Sequence, residues 1–285
     1  MAGETRRTIY AQPAWLAAVP RNLRFPEGAR VVATGCGTSF HAAQTNGYAV
    51  QALEAVLQTP DADVMLCVSH EGDTALTLEA AQRFPGPKWL ITGKLDSPLA
   101  ELADETVIVT PEIEKSWCHT GSYTCAVAAL AALRGEPIDE LPAMVTAALV
   151  EEPAPWQSRF IVAGAGPDWP TAQEAVLKLR EGAHLAAEAH HTEQLLHGHL
   201  AAVDETVRAY VLEGEGRAAE RAHAAVAALT ELGAEATIVP TEHPVVDIVR
   251  FQLLTLVIAE SRGIDPDPIH RDDPRWARAA AAHKL

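Results

Sequence analysis

The chain contains 285 residues, which is enough for one large domain or for two domains of about 130 to 150 residues each. Its net charge of −16 argues against binding to nucleic acids or anionic membranes, because both need a basic surface. No apolar run reaches the roughly 18 to 20 residues of a membrane span, and the polar N-terminus has no secretory core. The four cysteines form no CxxC pair. We therefore expect a soluble protein of the reducing cytoplasm.

The first half of the sequence predicts four buried strands with helical segments between them. Val31–Thr34 is a β-branched run that ends in glycines, and a helical pattern follows it to about residue 57. Further apolar runs predict strands at Val64–Val68, 89–92 and 106–110. Continuous apolar runs, unlike alternating ones, are typical of parallel strands that helices cover on both faces.

The second half repeats this design. Residues 160–166 form another apolar run that ends in glycines and opens a long helix, and strands are predicted at Val207–Leu212 and 236–240. Backbone N–H groups at such a helix start attract anions, although neither copy has a nucleotide-binding fingerprint. We predict a tandem α/β protein with a boundary near 151–155, so that the domains comprise residues 1–150 and 151–285. Coincidence between two ordinary α/β units is the alternative.

Two groups suited to proton transfer on a sugar lie in the second half. Glu181 is near the end of a strongly helical run, and His197 follows in a glycine turn. A carboxylate can act as general base at carbon, and a histidine as acid or base at a ring oxygen. Taken alone the pairing is weak evidence, because helical glutamates are usually solvated and histidines are common in turns.

Five segments in chain order strengthen the evidence from the pairing of Glu181 and His197. They are 36–40 (CGTSF), 69–74 (SHEGDT), 114–124 (EKSWCHTGSYT), 177–181 (LKLRE) and 196–198 (LHG). Together they resemble the sugar isomerase family built from two SIS (sugar isomerase) domains, in particular the isomerase half of the glucosamine-6-phosphate synthases. The resemblance implies an α/β fold of two tandem SIS domains, each a parallel sheet flanked by helices in a flavodoxin-like three-layer arrangement.

The resemblance also implies roles for individual residues. Glu181 would be the base, and His197 would open the sugar ring from the other subunit of a homodimer. Lys178, one helical turn before Glu181, would steady its carboxylate or stabilise oxygen charge, with a surface ion pair as the alternative. The sugar and its phosphate would be bound by Gly37, Thr38, Ser39, Ser69, His70, Glu71, Thr74, Trp117 and Cys118. For Thr38 and Ser39, helix capping uses the same geometry.

Three departures from the family pattern bear on the ligand. Glu71 replaces a serine that contacts phosphate in the family, so either Glu71 turns away to a cation or the ligand presents a hydroxyl or an amine there. Trp117 and Cys118 replace a small Val-Ala pair. The C-terminal lysine of the family has no clear counterpart, with Arg278 near the matching position and Lys284 as a distant substitute.

A cluster of histidines suggests a different chemistry. His190, His191, Glu193, His197 and His199 lie within ten residues, but their spacing matches no closed zinc pattern. We expect no metal and no cofactor, and we expect the histidines that the isomerase motif does not use to be exposed at a subunit contact.

The leading hypothesis is a phosphosugar or aminosugar-phosphate isomerase. Deamination stays open because it shares the enolised intermediate. A non-catalytic sugar-phosphate sensor is one alternative, and a deglycase or lyase for an amino-acid–sugar adduct is another, which the large Trp117 would suit. We expect no ammonia production from glutamine, because the sequence shows no amidotransferase segment and no N-terminal cysteine nucleophile. The identity of the sugar is left open.

Overall fold

In the computed structural model, residues 3–151, 153 and 159–283 are described, and they form two parallel four-stranded sheets. The first sheet has the order β1-β2-β3-β4, and the second has the order β6-β5-β7-β8. The strands are β1 (Val31–Thr34), β2 (Val64–Val68), β3 (Lys88–Thr92), β4 (Glu105–Ile108), β5 (Arg159–Gly164), β6 (Ala187–His191), β7 (Val207–Leu212) and β8 (Glu235–Val239). The predicted α/β class with parallel sheets is confirmed.

Helices connect and cover these strands. They are α1 (Gly3–Ala18), α2 (Thr38–Gln44), α3 (Ala52–Leu57), α4 (Ala75–Arg83), α5 (Pro98–Leu102), α6 (Gly121–Arg134), α7 (Leu141–Ala148), α8 (Trp169–Ala183), α9 (Thr192–Leu196), α10 (Arg217–Glu231), α11 (Pro244–Ser261) and α12 (Pro274–Ala282). None of the described helices is both long and apolar enough to cross a membrane.

The predicted strands are all present, with ends that differ by a residue or two. The prediction was incomplete in two places. Strand β6 was not predicted, and the helical pattern after β1 is two helices rather than one. Between α2 and α3 the chain runs beside β1, where Ala33 and Ala49 form an isolated parallel bridge.

Neighbouring residues of each strand face opposite layers, as the pleat of a strand requires. In the first sheet Val32 and Met65 pack on the side covered by α3, α4 and α5. Their neighbours Ala33 and Leu66 face a larger core that also contains Val162 of β5 and residues of α6, α8 and α11. The two halves therefore share one core between their sheets.

The predicted division at residues 1–150 and 151–285 keeps the two sheets apart, since β1–β4 precede it and β5–β8 follow it. The boundary itself, near 151–155, falls mostly outside the described residues. Helix α8 of the second half packs against α2 of the first, and this contact brings the end of α8 towards the first sheet.

Candidate active site

A pocket of about 420 Å³ opens where strands β1, β2 and β3 end. The carboxyl edge of a parallel sheet is where α/β proteins commonly bind ligands, because the loops after the strands diverge there. Most of the predicted site residues line it, namely Thr38, Ser39, Ser69, His70, Glu71, Thr74, Trp117 and Glu181. Four predicted residues are not among the lining residues: Gly37, Cys118, Lys178 and His197.

The loop after β1 turns at Gly37, whose φ of 54° lies in the left-handed region that favours glycine. This turn brings Thr38 and Ser39 to the start of α2. The Thr38 hydroxyl donates to Glu174 Oε1 at 3.1 Å and accepts from Lys178 Nζ at 3.2 Å. Its proton is therefore directed at the protein interior, while Ser39 lines the pocket.

The loop after β2 closes on itself through hydroxyl groups. Ser69 Oγ lies 3.1 Å from Thr74 Oγ1 and accepts from the backbone N–H of Gly72 at 3.2 Å. Helix α4 starts directly after Thr74, so its first backbone N–H groups lie at this loop. Glu71 lines the pocket and also lies 3.8 Å from Lys94 Nζ. This carboxylate thus has a cation partner at the pocket.

Glu181 reaches the pocket from the last turns of α8, where a buried lysine holds it. Lys178 Nζ donates to Glu181 Oε2 at 2.6 Å and to the backbone carbonyl of His119 at 2.8 Å. Lys178 is completely buried, so the alternative of a surface ion pair is wrong. Burial alone would lower the pKa of Lys178, but the carboxylates of Glu174 and Glu181 outweigh it and raise this pKa.

Glu174 completes this charged cluster one turn earlier on α8. Its buried carboxylate lies 3.3 Å from Lys178 Nζ and 2.7 Å from His41 Nδ1. Burial would raise its pKa, yet the charge of Lys178 and the contact with His41 lower it. The cluster joins α8 of the second half to α2 of the first and fixes the position of Glu181 between them.

A second buried carboxylate lies at the start of α6, the helix that supplies Ser122 and Tyr123 to the pocket lining. Glu114 caps the start of α6 by accepting from the backbone N–H and the hydroxyl of Thr120, both at 2.8 Å, and from those of Ser122. Burial would raise the pKa of Glu114, but His119 and the Ser122 groups hold it near 2. The backbone N–H of Glu114 donates to His70 Nε2 at 3.0 Å. Burial, then the nearby His119, lowers the pKa of His70 to about 4, so His70 is neutral at pH 7.

His119 and Arg271 are among the pocket-lining residues that were not predicted from the sequence. His119 lies within the recognised 114–124 segment but was not singled out, and it lines the pocket next to Ser122. Arg271 comes from the loop between α11 and α12 and stacks on Trp117, with its guanidinium carbon 3.4 Å from the ring centre. The signal for His119 was its place in the segment, whereas nothing in the sequence pointed to Arg271.

Of the expected substitutes for the C-terminal lysine, the one that the structure describes does not line the pocket. Arg278 is exposed on α12, and Lys284 lies outside the described residues. Cys118, predicted to contact the sugar, is instead buried beside Gly182 of α8. Burial raises its pKa to about 12, so its thiol is protonated at neutral pH.

The histidine-rich turn lies away from the pocket of its own chain. His197 is 68% exposed and pairs with Glu193 at 2.9 Å. His190 packs against His199, and His191 stacks on Trp169 with 3.9 Å between ring centres. Among the residues that the structure describes, no group of three or more histidines, cysteines or carboxylates is arranged to hold a metal ion.

Sequence comparison relates the chain to known enzymes. It is 27% identical over 231 residues to glutamine–fructose-6-phosphate aminotransferase (isomerizing) of Zymomonas mobilis, which covers 66% of this chain and 38% of the relative. It is 26% identical over 299 residues to the enzyme of that name from Pyrococcus horikoshii. That alignment covers 84% of this chain and 50% of the relative. The chain is a homologue of these aminotransferases. It spans half or less of their length. No protein-family model matches it.

Solved structures share its fold. The C-terminal domain of glucosamine-fructose-6-phosphate aminotransferase from Francisella tularensis aligns with a TM-score of 0.77 at 19% identity, over 94% of this chain and 98% of that one. Glucosamine-6-phosphate deaminase from Thermotoga maritima aligns with a TM-score of 0.76 at 20% identity. The alignment covers 93% of this chain and 97% of that one. Tagatose-6-phosphate ketose/aldose isomerase from Escherichia coli aligns with a TM-score of 0.75 at 19% identity. The alignment covers 94% of this chain and 95% of that one. The fold is therefore like that of SIS phosphosugar isomerase domains.

Proposed function

We propose that this protein is a phosphosugar or aminosugar-phosphate isomerase in which Glu181 is the base. One observation carries the proposal: Glu181 lines the same pocket as the hydroxyls of Ser39, Ser69 and Thr74, and Lys178 holds its carboxylate there. Isomerisation of a sugar needs a group that fixes the far end of the substrate and a carboxylate that reaches the two reacting carbons. The pocket offers both.

The chemistry follows from this arrangement. The phosphate would be bound by the Ser69 and Thr74 hydroxyls and the first N–H groups of α4, with the open chain of the sugar pointing to Glu181. Glu181 would take the proton from one carbon and return it to its neighbour. The structural relatives include an enzyme named as a deaminase and one named as a ketose/aldose isomerase. Both reactions pass through an enolised sugar, so Glu181 would serve either.

Proton transfer by Glu181 is tested by isotope exchange. With its substrate in heavy water, the protein should introduce deuterium at the carbon next to the carbonyl. Glu181→Gln keeps the shape and removes the base, so exchange should fall by roughly 10²- to 10⁴-fold, the contribution typical of general base catalysis. Glu220→Gln, an exposed position on α10, is the matched control and should exchange at the wild-type rate. Full exchange by the Glu181→Gln protein would assign the base elsewhere.

We further propose a two-fold homodimer in which His197 of one copy completes the pocket of the other. His197 is exposed in a histidine-rich turn and does not line the pocket of its own chain, which supports a role at a subunit contact. Two-fold symmetry would create two equivalent shared sites. Mixing Glu181→Gln with His197→Ala subunits should then restore part of the activity, because one site of each mixed dimer keeps both groups. Mixed dimers that form and stay inactive would contradict the shared site.

A binding protein without catalysis is the second candidate. It is favoured by the position of His197 outside the pocket of its own chain and by the exposed position of Arg278, which does not line the pocket. The exchange experiment separates the two candidates. A sensor would be stabilised by a sugar phosphate without exchanging deuterium into it, whereas an isomerase or deaminase would do both.

A further inference from the structure

Arg271 is the one arginine or lysine among the described pocket-lining residues, and it has no carboxylate partner there. No ion pair joins it to a described acidic residue, although the chain contains 38 of them. Its guanidinium lies instead over the Trp117 ring at 3.4 Å. A guanidinium stacked by its face keeps the N–H donors around its rim available, and these donors match the two oxygens of a carboxylate.

The loop that presents Arg271 is fixed by long-range contacts. The Asp267 carboxylate accepts from the backbone N–H groups of Glu4 and Thr5 at 2.9 and 2.7 Å, so it caps the start of α1. The backbone carbonyl of Asp267 accepts from the Trp117 N–H at 2.9 Å. Arg271 and Trp117 are therefore anchored to each other by main chain as well as by stacking.

The same loop has an unfavourable backbone next to Arg271. Ile269 and His270 have φ angles of 43° and 67°, in the left-handed region, and this is strongly disfavoured for a β-branched residue such as isoleucine. Such conformations persist where surrounding contacts impose them, and they concentrate at ligand sites. The His270 ring stacks on His184 with 3.5 Å between ring centres, which is one of the contacts that impose it here.

These contacts place Arg271 at the Glu181 end of the pocket. His184, which stacks on the neighbour of Arg271, follows Glu181 by three residues at the end of α8. On the other side, the residue after Trp117 packs against Gly182. The stacked pair thus lies near the end of α8 that carries Glu181, the group that would transfer the proton.

We propose that Arg271, supported by Trp117, determines specificity by binding a carboxylate attached to the reacting end of the substrate. This inference rests on the proposed function of the same pocket. The substrate class is a sugar phosphate whose reacting end carries a carboxylate-bearing substituent, as in an adduct of a sugar phosphate with an amino acid.

The test compares ligands that differ only in the carboxylate. The probes are fructose 6-phosphate carrying glycine through its amine at carbon 1, the same compound with methylamine instead of glycine, and fructose 6-phosphate. Dissociation constants are measured by calorimetry with the wild-type chain. Arg271→Ala should weaken the glycine compound by about 10- to 100-fold, the range for a hydrogen bond between charged groups, and leave the other two within about twofold.

Three further variants separate recognition from folding. Arg271→Lys should lose most of the preference, because an ammonium lacks the planar fork. Trp117→Leu should lose part of it, because the guanidinium loses its support. Arg275→Ala, four residues further on and paired with Asp273, is the matched control and should bind all three compounds like wild type.

Each outcome decides the proposal. A preference for the glycine compound that disappears in Arg271→Ala supports it. Equal weakening of all three ligands would mean that Arg271 binds the sugar phosphate group, and no weakening would mean that it binds neither group. Both overturn the inference. Deuterium exchange with the wild-type chain reports separately on the proposed function: Arg271-dependent binding without exchange keeps the inference and removes the catalytic role, and exchange without Arg271-dependent binding does the reverse.

Discussion

The two glycine loops that follow β1 and β5 share a backbone and differ in chemistry. Gly37 and Gly166 have φ angles of 54° and 56°, and each opens towards a helix. After Gly37 come two hydroxyl residues and the pocket of about 420 Å³. After Gly166 comes Asp168, which is only 8% exposed and whose carboxylate lies close to Gly214 of the next loop.

The electrostatics of the two loops are opposite as well. Burial raises the pKa of Asp168 to about 6 and that of Asp247 on α11 to about 7, and the charge of Asp168 adds to the rise at Asp247. At the first loop the buried Lys178 lies beneath Thr38. Topology thus creates a similar glycine turn at each sheet, and the side chains around each turn give it a different charge and hydrogen-bonding capacity.

Helix α8 links the two regions, because it starts at the second loop and carries Lys178 and Glu181 towards the first pocket. Lys178→Met should destabilise the protein by about 3 to 5 kcal/mol, since it leaves the buried Glu174 and the Glu181 carboxylate without their cation. Urea unfolding measures this loss. Arg217→Met, at an exposed ion pair on α10, is the control and should change stability by no more than about 0.5 kcal/mol. An equally small change in the Lys178→Met protein would mean that Lys178 does not stabilise the carboxylates of Glu174 and Glu181.

The second loop should be recognisable by its pH dependence. A carboxyl group whose pKa rises on folding holds its proton more tightly in the folded state, so its stabilising effect is lost as pH rises from its ordinary 3.8 to about 6 for Asp168. Asp168→Asn should therefore flatten the fall in stability over this range, as followed by thermal unfolding. Unchanged slopes would show that Asp168 is ionised throughout.

Glu114→Gln is the counterpart in the first half of the chain, at the buried carboxylate that caps α6. Its pKa is lowered from 4.5 to about 2, so its contribution is present above pH 4.5 and lost as pH falls towards 2. The variant should lose stability at neutral pH and show less acid sensitivity, opposite to Asp168→Asn. The two profiles together show whether the regions differ in charge as the structure indicates.

The smallest expected effect concerns Glu71. A carboxylate and a phosphate about 4 Å apart repel by roughly 1 kcal/mol per charge pair in water, so Glu71→Ser should tighten binding of ordinary hexose 6-phosphates by about fivefold. It should also weaken a ligand that presents an amine at this place. Calorimetric titration of both proteins with the same sugar phosphates measures the difference. Unchanged phosphate affinity would mean that Lys94 already neutralises Glu71.

The sequence alone determined the parallel α/β architecture and pointed to eight of the residues that line the pocket. Seven strands were readable because each is a buried apolar run, and the glycine loops, Glu181 and the hydroxyl residues stand at recognisable spacings. Strand β6 was missed because it is an edge strand, Ala187–His191, with polar and partly exposed side chains and a single partner strand. Its sequence has neither the apolar run nor the β-branched residues that signal a buried strand.

Tertiary structure alone decided which residues meet at the pocket. Arg271 and Trp117 are far apart in the chain and come together because Asp267 caps α1 and His270 stacks on His184. Lys178 became a buried residue because α8 packs on α2 of the other half. Local patterns encode backbone periodicity and turns, but they do not encode contacts between segments that only folding brings together.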